Sequence, residues 1–204
     1  MAEWNADRRK GSAAINAQGW LARVRRVVSP NCDARADADD ISLLVIHGIS
    51  LPPDHFGGPW IEALFTNTLD PRAHPYFAQI AELRVSAHLL IRRSGQIIQF
   101  VPFCQRAWHA GVSAFDGRAR CNDFSIGIEL EGTDTRAYTQ RQYTQLARVS
   151  RQIMAAYPRI TPARIAGHSD IAPGRKTDPG EAFDWAHYRA LLRHPGADSA
   201  TVRA

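Results

Sequence analysis

Residues 41–49, Ile-Ser-Leu-Leu-Val-Ile-His-Gly-Ile, decide how the rest of this 204-residue chain is read. The run is almost unbroken in apolar character and rich in β-branched side chains. A strand of that composition needs cover on both faces, as in a central sheet with helices packed on either side. It ends on His47-Gly48, so an imidazole is delivered where strand gives way to loop.

Downstream, residues 85–92 (VSAHLLIR) and 97–101 (IIQFV) read as two strands joined by the turn Arg93-Ser94-Gly95-Gln96, a hairpin. Residues 124–130 (FSIGIEL) form a further apolar strand. Thr139 and Gln142 have capping-box spacing and open a long amphipathic helix. Tyr143, Leu146, Ala147, Ser150, Ile153, Met154 and Tyr157 recur along one face of it, and Pro158 lies past its end. After a short apolar segment at 164–171 (RIAGHSDI), the stretch 183–194 predicts a last helix that turns Phe183, Tyr188, Leu191 and Leu192 inward. Asp184 stands near its start, where a carboxylate suits the helix dipole. Between the first strand and the hairpin come the Pro- and Gly-bearing segment 51–60, a short helix in 61–67 (IEALFTN) and an irregular stretch from Leu69 to Ala81. A connection of that length is commonly a lid or a binding loop. Mixed strands and helices predict a single α/β (α+β) domain with one central sheet covered by helices. Residues 1–18 are polar and without period, and predict a poorly ordered tail.

Hydrophobic residues make up 45% and charged residues 22% of the chain, ordinary globular usage. The net charge of +5 favours anionic partners. The arginines are scattered rather than blocked, so no nucleic-acid module is expected. Cys32, Cys104 and Cys121 form no C-x-x-C pair and predict three free thiols in a reducing compartment. No apolar run follows Arg8-Arg9-Lys10, and no segment is long enough to span a bilayer. A soluble cytoplasmic protein without a membrane partner is expected, with a monomer as the simplest assembly.

Among eight histidines, His47 and His168 stand where strands meet loops, and Asp178 follows ten residues after His168. Two imidazoles and one carboxylate make a sound ligand set for a catalytic zinc, with a fourth position left for water. Spacing alone leaves a second reading open, in which both are ordinary strand-end histidines. Glu129 and Glu131 share one face of the 124–130 strand, opposite Ile128 and Leu130. A carboxylate in so apolar a strand is costly unless partnered or functional. Glu129 is therefore a candidate general base, whereas a solvent-facing edge suits Glu131. Lys176, one of two lysines in the chain, could steady an oxyanion or stand as a solvated loop residue. His88, Trp108 and His109 form a polar-aromatic group, and Arg120 and Asn122 flank Cys121.

Seven blocks in order, SLLVIHGISLPP, HPYF, LRVSAHLLIRR, RAWHAGVS, RCNDFSIGIELEG, GHSDIAPGRKTDPG and FDW, resemble the zinc N-acetylmuramoyl-L-alanine amidases. Within that family the likeness is to the cytosolic 1,6-anhydro-N-acetylmuramyl-L-alanine amidases of Gram-negative bacteria. It implies a mixed sheet flanked by helices, a fold shared with peptidoglycan recognition proteins, and an amidase domain over 19–194 followed by a tail at 195–204. It also implies zinc on His47, His168 and Asp178, proton transfer by Glu129, transition-state stabilisation by Lys176, and anhydro-muramyl peptides as substrate in peptidoglycan recycling. Tyr76, Arg84, His88, Trp108, Arg120 and Asn122 fall in segments that look like the substrate cleft, with Arg120 suited to a peptide carboxylate. The alternative is a non-catalytic muropeptide-binding module of the same fold. Gly48 departs from the family, whose close members tend to carry Asn there.

Overall fold

The structure, a computed structural model, describes residues 14–194. In chain order its elements are β1 (Arg25–Arg26), β2 (Cys32–Ala34), β3 (Leu43–Ile49), α1 (Trp60–Phe65), α2 (Phe77–Ile80), β4 (Leu89–Ile91), β5 (Ile97–Gln99), β6 (Gln105–Ala107), β7 (Ala114–Phe115), β8 (Arg118–Ala119), β9 (Ser125–Glu131), α3 (Gln140–Ala156), β10 (Ile165–Gly167), α4 (His168–Ile171) and α5 (Trp185–Arg193). The main sheet has the order β1-β5-β4-β9-β3-β10. Strands β4, β9, β3 and β10 run parallel, while β5 is antiparallel to β4 and parallel to β1.

β3 lies between β9 and β10 within the sheet, and clusters packed on both of its faces explain its apolar run. Leu44 and Ile46 join Ile126, Ile128 and Leu130 of β9 against α3 and α5. Leu43 and Val45 point the other way, into a cluster with Ala110, Phe124, Ala166 and Ile171. A third cluster sets α1 and α2 against Leu90, Ile98 and Phe100. Register pairs His47 with Glu129 and Leu90 with Glu129. Imidazole and carboxylate are thus side by side on the face turned away from α3 and α5.

Helix α3 begins as its spacing requires. Thr139 Oγ1 accepts from Gln142 N at 3.2 Å, and Gln142 Oε1 accepts from Thr139 N at 3.0 Å. Asp184 caps α5 through His187 N at 2.8 Å.

Three local readings change. The stretch 69–81, expected to be irregular, contains α2, whose Phe77 is wholly buried. Residues 14–18, assigned to the tail, lie against the domain: Ile15 bridges Leu21 and packs on the main cluster. The remainder of that tail and residues 195–204 lie outside the described residues. Glu131 does not face solvent. It is 2% exposed, accepts from Gly57 N (2.7 Å) and Arg93 N (3.1 Å), and pairs with Arg92 (3.2 Å). Arg92 in turn pairs with Glu62 at 2.9 Å and donates to Gly58 O at 2.9 Å. The segment leaving β3 is tied to the sheet by this chain of charges.

Candidate active site

The strand-end histidine of β3, the first residue of α4 and an aspartate in the following turn come together. His47 Nδ1 and His168 Nδ1 are 3.0 Å apart, and Asp178 Oδ2 lies 3.2 Å from the first and 3.1 Å from the second. The turn that aims Asp178 is closed by Gly180 N donating to Thr177 O at 3.0 Å. Ser169 N donates to Asp178 O at 2.9 Å, and Tyr138 Oη donates to Pro179 O at 2.9 Å. A Cβ on Gly48 would fall on the Tyr138 hydroxyl. The bare glycine therefore makes room for the phenol that pins this turn.

The outer ring nitrogens also have partners. His47 Nε2 lies 2.9 Å from His109 Nδ1, and His168 Nε2 lies 3.2 Å from Ala110 O. A carbonyl only accepts, so His168 carries its proton on Nε2 and turns a bare Nδ1 toward Asp178. With the Nδ1 of His47 bare as well, three lone-pair atoms at 3.0–3.2 Å repel one another unless a cation sits among them. A tetrahedral zinc with bonds of about 2.0–2.1 Å has ligand-to-ligand edges of about 3.3–3.4 Å. Donor chemistry and spacing both fit that ion.

Burial drives most of the electrostatics. It lowers the His47 pKa to about 4 against the opposing pull of the Asp178 carboxylate. Asp178 is also penalised by burial, but the imidazoles of His168 and His47 set against it outweigh that penalty and hold the carboxyl well below its ordinary range. Glu129 goes the opposite way. Burial first, and the charge of Asp178 second, push it well above the ordinary range, while Lys176 pulls it partly back. Its Oε2 is buried with no hydrogen-bond partner. An orphaned carboxylate oxygen is expensive, and here it borders the same cleft as His168 and Asp178. That cleft, about 300 Å³, is bordered by Gly48, Ser50 and Leu51, by Tyr76, Ile80 and Leu83, and by Trp108, Glu129, Lys176 and Asp178. Its size suits a small molecule or short peptide rather than a folded partner.

The sequence profile of the family described as N-acetylmuramoyl-L-alanine amidase matches residues 37–181. The chain belongs to that family.

This amidase is 66% identical over 175 residues to the 1,6-anhydro-N-acetylmuramyl-L-alanine amidase AmpD of Escherichia coli K12, covering 86% of this chain and 95% of that one. A crystal structure of a Se-Met AmpD derivative superposes with a TM-score of 0.85 at 65% identity, covering 87% of this chain and 98% of the other. AmpDh3 of Pseudomonas aeruginosa, solved in complex with an anhydromuramic pentapeptide, superposes at a TM-score of 0.54 with 30% identity, covering 74% of this chain and 59% of that one.

The residues expected to touch substrate divide. Tyr76 and Trp108 border the amidase's cleft. Arg84 and Arg120 stand on the surface outside its lining, paired with Glu82 at 3.6 Å and Asp123 at 3.0 Å. His88 is corrected: it is 0% exposed, its Nδ1 accepts from Gly127 N at 3.0 Å, and its Nε2 faces Gln105 O at 3.1 Å. No face of that ring is left for a ligand. Asn122 lies outside the cleft lining, and its Oδ1 accepts from the backbone N–H groups of His109 (3.1 Å) and Ala110 (2.8 Å). Sequence reasoning noticed His109 without giving it a task, and passed over Tyr138. The signal for the first was the glycine at 127 inside a strand, which marks a place where another group comes close.

Proposed function

We propose that this amidase hydrolyses the lactyl amide bond between 1,6-anhydro-N-acetylmuramic acid and L-alanine in muropeptides, using zinc held by His47, His168 and Asp178. The carrying observation is the three-atom triangle beside an unpartnered buried Glu129 carboxylate oxygen. The names of the relatives support the substrate class.

When bound, zinc supplies a Lewis acid, lowers the pKa of a water to about 7 and draws a neighbouring carboxyl back toward its ionised form. Glu129 accepts the proton of the attacking water and passes it to the amide nitrogen as the C–N bond breaks. The products are the free lactyl acid and a peptide beginning with L-alanine. Lys176, exposed on the cleft wall, steadies the negative charge that gathers on the carbonyl oxygen. Tyr76 and Trp108 supply flat apolar walls for sugar or peptide. The reading extends to a cytoplasmic monomer acting on recycled wall fragments, without nucleic-acid or membrane partners. Among the described residues no helix is long and apolar enough to cross a membrane.

Mass spectrometry of products from anhydro-muramyl tripeptide tests this. Wild type should release a peptide with L-alanine at its N-terminus. Glu129→Ala should keep one zinc per chain and lose roughly 10²–10⁴-fold in turnover. Full turnover in that variant would refute the proton-transfer role.

A further inference from the structure

Besides the structurally satisfied Glu131, the face of β9 that carries Glu129 holds two residues that the proposed chemistry does not use, Ser125 and Gly127. Both serve a third. The buried ring of His109 lies across this part of the strand, and a Cβ on Gly127 would stand 2.5 Å from its Cγ and Nδ1. Only glycine leaves that space. In this seat His109 reaches two ways, with Nδ1 2.9 Å from His47 Nε2 and Nε2 3.1 Å from Ser125 Oγ. It meets His47 edge-on, ring centroids 5.0 Å apart and planes at 86°.

The next residue attends to the second imidazole, because Ala110 O faces His168 Nε2 at 3.2 Å. One side-chain oxygen, Asn122 Oδ1, receives both backbone N–H groups of this dipeptide. The outer nitrogens of both proposed zinc-binding imidazoles are therefore met by consecutive residues that are themselves held at one point.

An imidazole ligates through the nitrogen that lacks hydrogen, and the acceptor at its other nitrogen selects which one that is. Ala110 O settles this for His168. His109 does the same for His47 when its own Nε2–H is donated to Ser125 Oγ, leaving Nδ1 as an acceptor.

We propose that His109 is a positioning residue: relayed through Ser125 and seated on Gly127, it fixes the tautomer and tilt of His47 for metal binding, while Asn122 keeps His109 and Ala110 aligned with both histidines. This rests on the zinc reading above. Asn122 then acts on the metal site through the backbone rather than on substrate.

The test is zinc affinity, by competition against a chromogenic chelator, together with the thermal midpoint of the zinc-free protein. His109→Leu removes the acceptor. His109→Asn returns an oxygen near the lost Nδ1 but does not reach Ser125. His109→Leu should bind zinc about 10–100-fold more weakly, and His109→Asn should recover most of that loss. The zinc-free midpoints of the two variants should agree, and KM at saturating zinc should stay at the wild-type value. Wild-type zinc affinity in His109→Leu, or equal weakening in both variants, overturns the proposal. Failure of the wild type to bind zinc would instead sink the reading beneath it.

Discussion

His88 shows what complete burial does to an imidazole. Burial, and then the charge of Arg35, lower its pKa to about 3 from an ordinary 6.5. Between those values the unfolded chain binds one proton that the folded chain refuses. Stability is therefore lost as pH falls from about 6.5 toward 3, by about 1.4 kcal/mol per pH unit for this group. Urea midpoints of zinc-free protein between pH 7 and pH 4 should show a shallower acid decline in His88→Gln than in wild type, by one proton, whatever the variant's midpoint at pH 7. Identical slopes would mean that His88 titrates normally. Glu131 makes a matching point for carboxylates. It tolerates burial because two backbone N–H groups and Arg92 satisfy it, whereas Glu129 beside it on the same face has an oxygen with no partner at all. That contrast separates a structural acid from a chemical one.

Among the elements, α3 carries the helical layer, and its start is held by a local device. Thr139 Oγ1 caps Gln142 N and also donates to Arg93 O at 2.8 Å, joining the helix to the β4–β5 turn. Thr139→Ala should cost about 1 kcal/mol in denaturant unfolding and leave turnover at 25 °C unchanged, since nothing in the cleft touches it. This cap, the alternation in β9 and the double cover of β3 were all legible in the sequence, because each depends on residues within a few positions of one another. So was the parity that sets Glu129 on the face opposite Ile128 and Leu130; its place beside His47 was not, because that rests on the pairing of β3 with β9. The burial of Glu131, the seat of His109 on Gly127 and the packing of Ile15 were not. Each depends on a partner far away in the chain that only strand order brings near. The short strands β1, β2, β6, β7 and β8 escaped for a different reason: two or three residues are too few to show a period.

For the molecule as a whole, the proposed ligands join distant parts of the chain, with His168 121 positions beyond His47. An ion bound only by the folded state stabilises it by mass action, about 2.7 kcal/mol at a free concentration of 100 Kd. For a domain of this size that is roughly 5–10 °C in melting temperature. Dialysis against a chelator should lower the midpoint by that amount and abolish turnover, and stoichiometric zinc should restore both; an unchanged midpoint would mean that the folded chain holds no such ion. The ionic chain from Glu131 through Arg92 to Glu62 fixes the segment after β3 at Gly57 and Gly58. Peeling that stretch away would strip the buried Glu131 carboxylate of a donor, a cost on the order of 1–3 kcal/mol. The cleft walls at Tyr76, Ile80 and Leu83 lie outside this fastening, so give in the rim during capture of a fragment belongs to them and not to the two glycines.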